Sequence, residues 1–130
     1  MASVRVPRAR PGLVLRSYKI AKRFEQDISS VCAAFAVEIA GDRVRVARIA
    51  YGGMAAIPKR ARGCEQALSG AEWNARTIAR AAQALARDFQ PITDMRASAD
   101  YRARVAANLL TRLHAEASGQ RQTSVWSHAS

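Results

Sequence analysis

Lys19, Lys22 and Arg23 fall within five residues and are followed at once by Glu25 and Asp27. Cations succeeded by acids at this spacing can do one of two things. They can offset the negative charge of a dinucleotide's phosphates, for which lysine supplies a compact point charge and arginine a fork of donors. They can instead form a surface loop in which Arg23 pairs with Glu25 or Asp27, and exposed pairs of that kind contribute only about 0 to 1 kcal/mol. The residue types alone leave both open. Other chemistry finds little support. His114 and His128 have no metal-ligand spacing between them and no Ser or Cys positioned to use either as a base. Cys32 and Cys64 lack the paired spacing that zinc or iron-sulfur sites require. With no G-x-G-x-x-G and no Walker loop, Gly52-Gly53 reads as a hairpin exit needing positive φ rather than a phosphate cradle.

The elements that must position the basic segment follow from periodicity. Residues 1–15 hold two prolines and a glycine among arginines and read as a basic linker or arm. From Val31 an apolar run in which Phe35, Val37 and Ile39 recur every second residue predicts a strand. A turn at Gly41-Asp42 leads into a second strand that closes on Tyr51-Gly52-Gly53, so the pair forms a hairpin. Pro58 suits the first turn of a helix over residues 58–68, ended by Ser69-Gly70. Asn74 can cap a second helix that runs to Pro91, with Ile78, Ala81, Ala82, Leu85 and Phe89 on one face. Ser98 can cap a third, on which Tyr101, Val105, Leu109 and Leu113 stack four apart, with Ala106 and Leu110 beside them. Strands first and helices after predict an α+β domain over residues 16–117: an antiparallel sheet led by a long two-stranded hairpin, with three α-helices packed on one face. A lone hairpin is too narrow to cover three amphipathic helices, so further short strands are expected without a definite place. Residues 118–130 are polar and aperiodic and read as a disordered tail.

The chain has 130 residues, 49% of them hydrophobic but only 6% aromatic. One domain of that size can bury a core without metals or disulfides, and the core must be built mainly from Ala, Val, Ile and Leu. The net charge of +11 comes from 21 Lys and Arg against 10 acids. Such a balance raises the alternative of a free-standing protein that binds nucleic acid through its basic arm. Seven of the cations precede the first acid, Glu25, and the rest are mostly single arginines, the pattern of solvated faces on an Arg-rich protein. No run approaches the ~18 apolar residues of a membrane span, and the lack of disulfide-like cysteine usage fits a cytoplasmic location.

Three ordered segments carry a family resemblance: Tyr18-Lys19-Ile20-Ala21-Lys22-Arg23-Phe24-Glu25-Gln26-Asp27-Ile28, Tyr51-Gly52-Gly53-Met54-Ala55, and Thr93-Asp94-Met95-Arg96-Ala97-Ser98-Ala99-Asp100-Tyr101-Arg102. Together they resemble the C-terminal domain of the FAD-binding small subunit of xanthine dehydrogenases, in the molybdenum hydroxylase family. The resemblance spans residues 7–117. It implies a flavin-subunit part of an enzyme that oxidises hypoxanthine and xanthine to urate and passes electrons through two 2Fe-2S clusters and FAD to NAD. By resemblance, Lys19 matches a lysine that reaches the FAD, joined by Arg23. Ile20, Lys22, Glu25 and Asp27 match a loop near the flavin. Phe24 and Gln26 stand where some relatives carry a basic and an acidic residue, which weakens any gating by charge. Asp94, Arg96 and Tyr101 are expected to pin the preceding loop to the start of the last helix. The resemblance also implies that FAD is shared with a separate flavin-binding domain, that the 2Fe-2S clusters and the molybdopterin lie elsewhere in the assembly, and that this chain alone is inactive. Its implied partners are that domain, the molybdopterin subunit and NAD near the flavin, with no membrane and no nucleic acid.

Overall fold

Alternation along the first half of the chain produces strands, and 3.6-residue periodicity along the second half produces helices. The computed structural model describes residues 2–6, 8–21 and 28–119. Strands β1 (Leu13–Ile20), β2 (Val31–Ala40), β3 (Arg43–Gly52) and β4 (Lys59–Arg60) precede helices α1 (Arg62–Leu68), α2 (Ala75–Asp88) and α3 (Ala99–Ala117). The sheet is antiparallel throughout, in the order β1-β2-β3-β4. This is the expected α+β architecture, and β2 and β3 form the expected hairpin about Gly41-Asp42.

The strands that periodicity left unplaced are β1 and β4. β1 starts at Leu13, inside the stretch expected to be an arm, and pairs along its whole length with β2, from Leu13↔Glu38 to Ile20↔Val31. β4 displaces the expected start of the first helix. Lys59 and Arg60 pair with Tyr51 and Ala50, and the Ala61 amide donates to the Ile49 carbonyl at 2.8 Å. The chain is thus held as strand past Pro58, and the helix begins at Arg62. Its first amides, of Gly63 and Cys64, donate to the Asp88 carboxylate at 2.8 and 2.9 Å. The other two helices start where expected. The side chains of Asn74 and Ser98 accept from the amides of Thr77 and Tyr101, respectively, which satisfies donors that the helix itself leaves orphaned.

The helices cover one face of the sheet. Val31, Ala33, Phe35 and Val37 of β2, and Ala47, Ile49 and Tyr51 of β3, point into this layer and are buried against Cys64, Leu68, Ile78, Leu85, Leu110 and Leu113. Aromatic rings meet edge to face along the seam, Tyr18 on Phe35, Phe35 on Tyr51 and Tyr51 on Phe89. The thiol that disappears completely into this core is Cys64, whereas Cys32 is half-exposed on the opposite face. That opposite face carries Leu15, Ala34, Val46 and Arg48, and no helix among the described residues covers it.

Two polar ties lock the layers. The Tyr18 hydroxyl on β1 donates to Glu116 on α3 at 2.7 Å, and Arg112 donates to the same carboxylate at 2.8 Å while lying over the Tyr18 ring. Burial, helped by the neighbouring carboxylate, pushes the Tyr18 hydroxyl up to about 12. Burial opposes ionisation of Glu116, but the donors Tyr18 and Arg112 outweigh it and hold the carboxyl below its ordinary value. The second tie is at the exit of β3. Gly53 has φ +80°, and a Cβ there would press on the Ser30 carbonyl oxygen and lie 3.1 Å from Arg102 Nη1. Gly41, at φ +63°, faces open space.

These ties set two expectations. A lowered folded pKa makes the contribution of Glu116 present above its unfolded value near 4.5 and lost as pH falls through the folded value. The raised Tyr18 contributes fully below its unfolded value of 10.0 and loses that contribution as pH climbs toward 12. In urea titrations across pH, Glu116→Gln should flatten the acid limb and Tyr18→Phe should remove part of the alkaline one. Gly41→Ala should cost about 1 to 2 kcal/mol through its positive φ alone, and Gly53→Ala should cost clearly more because the Ser30 backbone must also move; equal costs by chemical denaturation would refute the crowding.

Candidate functional site

Because side chains alternate along a strand, the register dictates what shares the uncovered face. Cross-strand rows there run Lys19–Cys32–Gly52, Ser17–Ala34–Ala50, Leu15–Ala36–Arg48 and Leu13–Glu38–Val46. In the first two rows most side chains are small, so the surface dips. A shallow depression of about 380 Å³ lies over Ser17, Lys19, Cys32, Ala34 and Ala50 at the end of the sheet where β1 finishes. A second dip, lined by Leu15, Ala36, Arg48 and Arg60, continues it toward the middle of the face. At the far end, Arg5 and Val6 of the N-terminal arm come over Leu13, Leu15 and Val46.

Positive charge rims this apolar floor. Lys19 is exposed at one end. Arg48 stands in the middle, and Arg60 beside it is tied to Glu65 at 2.8 Å, a carboxylate that also accepts from the Ile49 amide. Glu38, the acid on this face, is engaged by Arg10 at 3.0 Å and Arg45 at 3.4 Å. The surface therefore offers a flat apolar wall with cations at its margins. It suits one side of a planar, negatively charged ligand. It is too open to enclose one, since binding sites that hold a small molecule unaided bury most of its surface.

Of the residues singled out from the sequence, Lys19 lies on this face and Ile20 closes β1 beside it, half-buried on the helix side. Lys22, Arg23, Glu25 and Asp27 lie outside the described residues, as do Phe24 and Gln26. The base of that loop is well defined: the Ser30 amide donates to the Ile20 carbonyl at 2.7 Å. Asp94 pins the segment before α3 as expected, accepting from the amides of Arg96 and Ala97 at 2.9 and 3.2 Å. The Arg96 amide and the Arg102 guanidinium hold its carboxyl below the usual carboxylate range, against the opposing effect of burial. Tyr101 does not pin this segment through its ring, which is 40% exposed.

The residue that periodicity missed is Arg102. Its side chain is 2% exposed, and it donates to the carbonyls of Ser30 and Gly53 and to Asp94 at 2.6 Å. The signal was present. Arg102, Ala106, Leu109, Leu110 and Leu113 form the buried stripe of α3, one position on from the stripe that begins at Tyr101. His114 is half-buried against the Trp73 ring, and burial lowers its pKa. Among the described residues no cluster of His, Cys, Asp or Glu could hold a metal ion, and no helix is long and apolar enough to cross a membrane.

The model of the CO dehydrogenase flavoprotein C-terminal domain matches residues 16–117. A carbon monoxide dehydrogenase from Hydrogenophaga pseudoflava, in a form lacking the Mo-pyranopterin moiety of its cofactor, is similar in structure with a TM-score of 0.75 and 27% identity, over 82% of this chain and 37% of that one. Quinoline 2-oxidoreductase from Pseudomonas putida 86 is similar with a TM-score of 0.71 and 28% identity, over 85% of this chain and 39% of that one. A reconstituted CO dehydrogenase from Oligotropha carboxidovorans, at 22% identity and a TM-score of 0.73 over 82% of this chain and 37% of that one, shares the fold. No curated sequence matches significantly. The chain thus spans well under half of each structure it resembles. With a family match over residues 16–117, and the sheet and the three helices in place, the chain belongs to the CO dehydrogenase flavoprotein C-terminal domain family, within the molybdenum hydroxylases.

Proposed function

We propose that this chain closes one side of a flavin site that is completed by a separate FAD-binding domain, in an enzyme of the xanthine dehydrogenase kind. The observation that carries this reading is the placement of Lys19: exposed, on the sheet face that no helix among the described residues covers, at the edge of a depression floored by Cys32, Ala34 and Ala50. The small floor admits a planar ring at van der Waals distance, and the ammonium at its edge can meet phosphate or ring charge. The residues fit the cofactor as a wall, and the openness of the face explains why a second domain is needed. Bound FAD would supply the electron transfer. Lys19 would offset the diphosphate or stabilise the negative charge of the reduced ring, since a nearby cation favours the anionic state. The apolar floor would exclude water from one ring face, and Arg23 with the loop of Ile20, Lys22, Glu25 and Asp27 would border the access of NAD.

The choice of hypoxanthine and xanthine as substrates and NAD as acceptor rests on the resemblance of the three ordered segments. The solved neighbours include enzymes for carbon monoxide and quinoline, so the substrate must be tested against those alternatives. In the assembled enzyme, xanthine should drive NAD reduction where carbon monoxide and quinoline do not. Titrated with FAD, the isolated chain should bind weakly. Joined to its flavin-binding domain it should bind tightly, and Lys19→Met should weaken that binding roughly tenfold, the worth of about one charge-assisted hydrogen bond. Tight one-to-one binding by the isolated chain would overturn the division of labour. Salt-sensitive gel shifts with RNA or DNA in place of flavin binding would favour the nucleic-acid alternative.

A further inference from the structure

We infer that Arg102 is a positioning residue for the flavin-facing edge: it sets the place of Lys19 by clamping the end of the sheet from behind. This inference rests on the flavin reading of Lys19. Two strand ends meet the guanidinium directly and a third is joined to it through Ser30. Nη1 takes the carbonyl of Ser30, the residue before β2, and the carbonyl of Gly53, the residue after β3, at 2.9 Å for the latter. Ser30 in turn donates its amide to Ile20 at the end of β1. Lys19, Cys32 and Gly52 are the last cross-strand row before this clamp. Lys19 is thus one residue from a carbonyl held by Ser30, and Ser30 is held by Arg102.

The clamp is itself fixed on its far side. Nη2 meets Asp94 at 2.6 Å, and Asp94 is held by the amides of Arg96 and Ala97. The Ser30 hydroxyl donates to the Arg96 carbonyl at 3.3 Å, so the segment before α3 and the base of the loop are joined twice. A buried cation costs several kcal/mol to desolvate, and removing any acceptor leaves part of that cost uncompensated. A core-facing leucine would fill the same stripe of α3 without that cost. What the arginine adds is direction: its planar fork reaches two carbonyls and a carboxylate at once, which lysine's single ammonium cannot reproduce. Gly53 completes the arrangement, because no side chain fits between its backbone, Ser30 and Arg102.

The test compares Arg102→Lys with Leu110→Ala, a fully buried position on the same helix that touches the core and not the clamp. First, amide hydrogen exchange is measured on the full chain. Arg102→Lys should speed exchange at Ser30 and Val31 at least tenfold more than Leu110→Ala does, at conditions matched for global stability. Equal effects would overturn the clamp whatever the flavin does. Second, FAD affinity and the flavin midpoint potential are measured in the chain joined to its flavin-binding domain. Arg102→Lys should reproduce the direction and most of the size of the Lys19→Met effect on both, and Leu110→Ala should leave both near wild type. If Lys19→Met acts and Arg102→Lys does not, positioning by Arg102 is wrong while the flavin reading stands. If exchange responds but neither Lys19→Met nor Arg102→Lys alters the flavin, the flavin reading itself is wrong and the positioning role goes with it.

Discussion

A guanidinium buried to 2% exposure is costly unless acceptors meet it, and the way both terminal nitrogens of Arg102 are met, with Nε left unpartnered among the described residues, organises one whole end of this domain. Its acceptors come from the entry of β2, the exit of β3 and the segment before α3. Those three pieces lie far apart in sequence, so the contact can form only when hairpin and last helix are already docked. The apolar layer supplies the driving force for that docking, through Phe35, Ile49 and Tyr51 against Leu110 and Leu113. Arg102 adds registration: it decides where along the sheet the helix comes to rest. At the opposite edge, Tyr18, Glu116 and Arg112 perform the same service between β1 and the end of α3, so the last helix is tied at both ends.

Much of this was legible from the sequence, and the parts that were not share a physical cause. The β2–β3 hairpin declared itself because alternation of Phe35, Val37 and Ile39 and a Gly-Asp turn are local signals. Asn74 and Ser98 could be recognised as caps because a cap needs only its own helix. β1 was missed because its helix-side residues, Val14, Arg16, Tyr18 and Ile20, break the apolar pattern with an arginine, which the register puts on that side and which stays largely exposed 3.9 Å from Glu116. β4 was missed because two residues carry no periodicity; the unpaired edge of β3 makes it a strand. Arg102 was passed over because a charge on a buried stripe looks like a misread phase until its acceptors, Ser30, Gly53 and Asp94, are known to converge there. In each case the deciding partner is distant in the chain.

The candidate site divides along the same line. Lys19 was singled out from its neighbours in sequence, and the register places it on the uncovered face. The floor beside it could not be foreseen, since Cys32, Ala34, Ala50 and Gly52 become neighbours of Lys19 only through the antiparallel register. Gly52 illustrates the point: a Cβ there would meet the Cys32 sulfur at 2.6 Å, so the glycine keeps the row flat rather than supplying an unusual backbone angle.

A four-stranded sheet with helices on one side has only one face to spare, and that geometry constrains any role in ligand binding. The helix side is closed by large rings and leucines. On the other side, the small residues Cys32, Gly52, Ser17, Ala34, Ala50 and Ala36, bordered by cations, make a surface that is apolar yet shallow, the shape of a lid rather than a cup. Left in water, such a face would expose Leu15 at 62% and Val46 at 40%, a cost that burial against a partner relieves. A second domain carrying an anionic planar cofactor would relieve it, with the apolar floor meeting the ring and the rim meeting its charge. On the proposed flavin reading, cofactor affinity would reside in the partner and control of the ring's environment here. A wall contributes little to holding a ligand that can still leave by the open side, but everything to the polarity the ligand experiences while it stays.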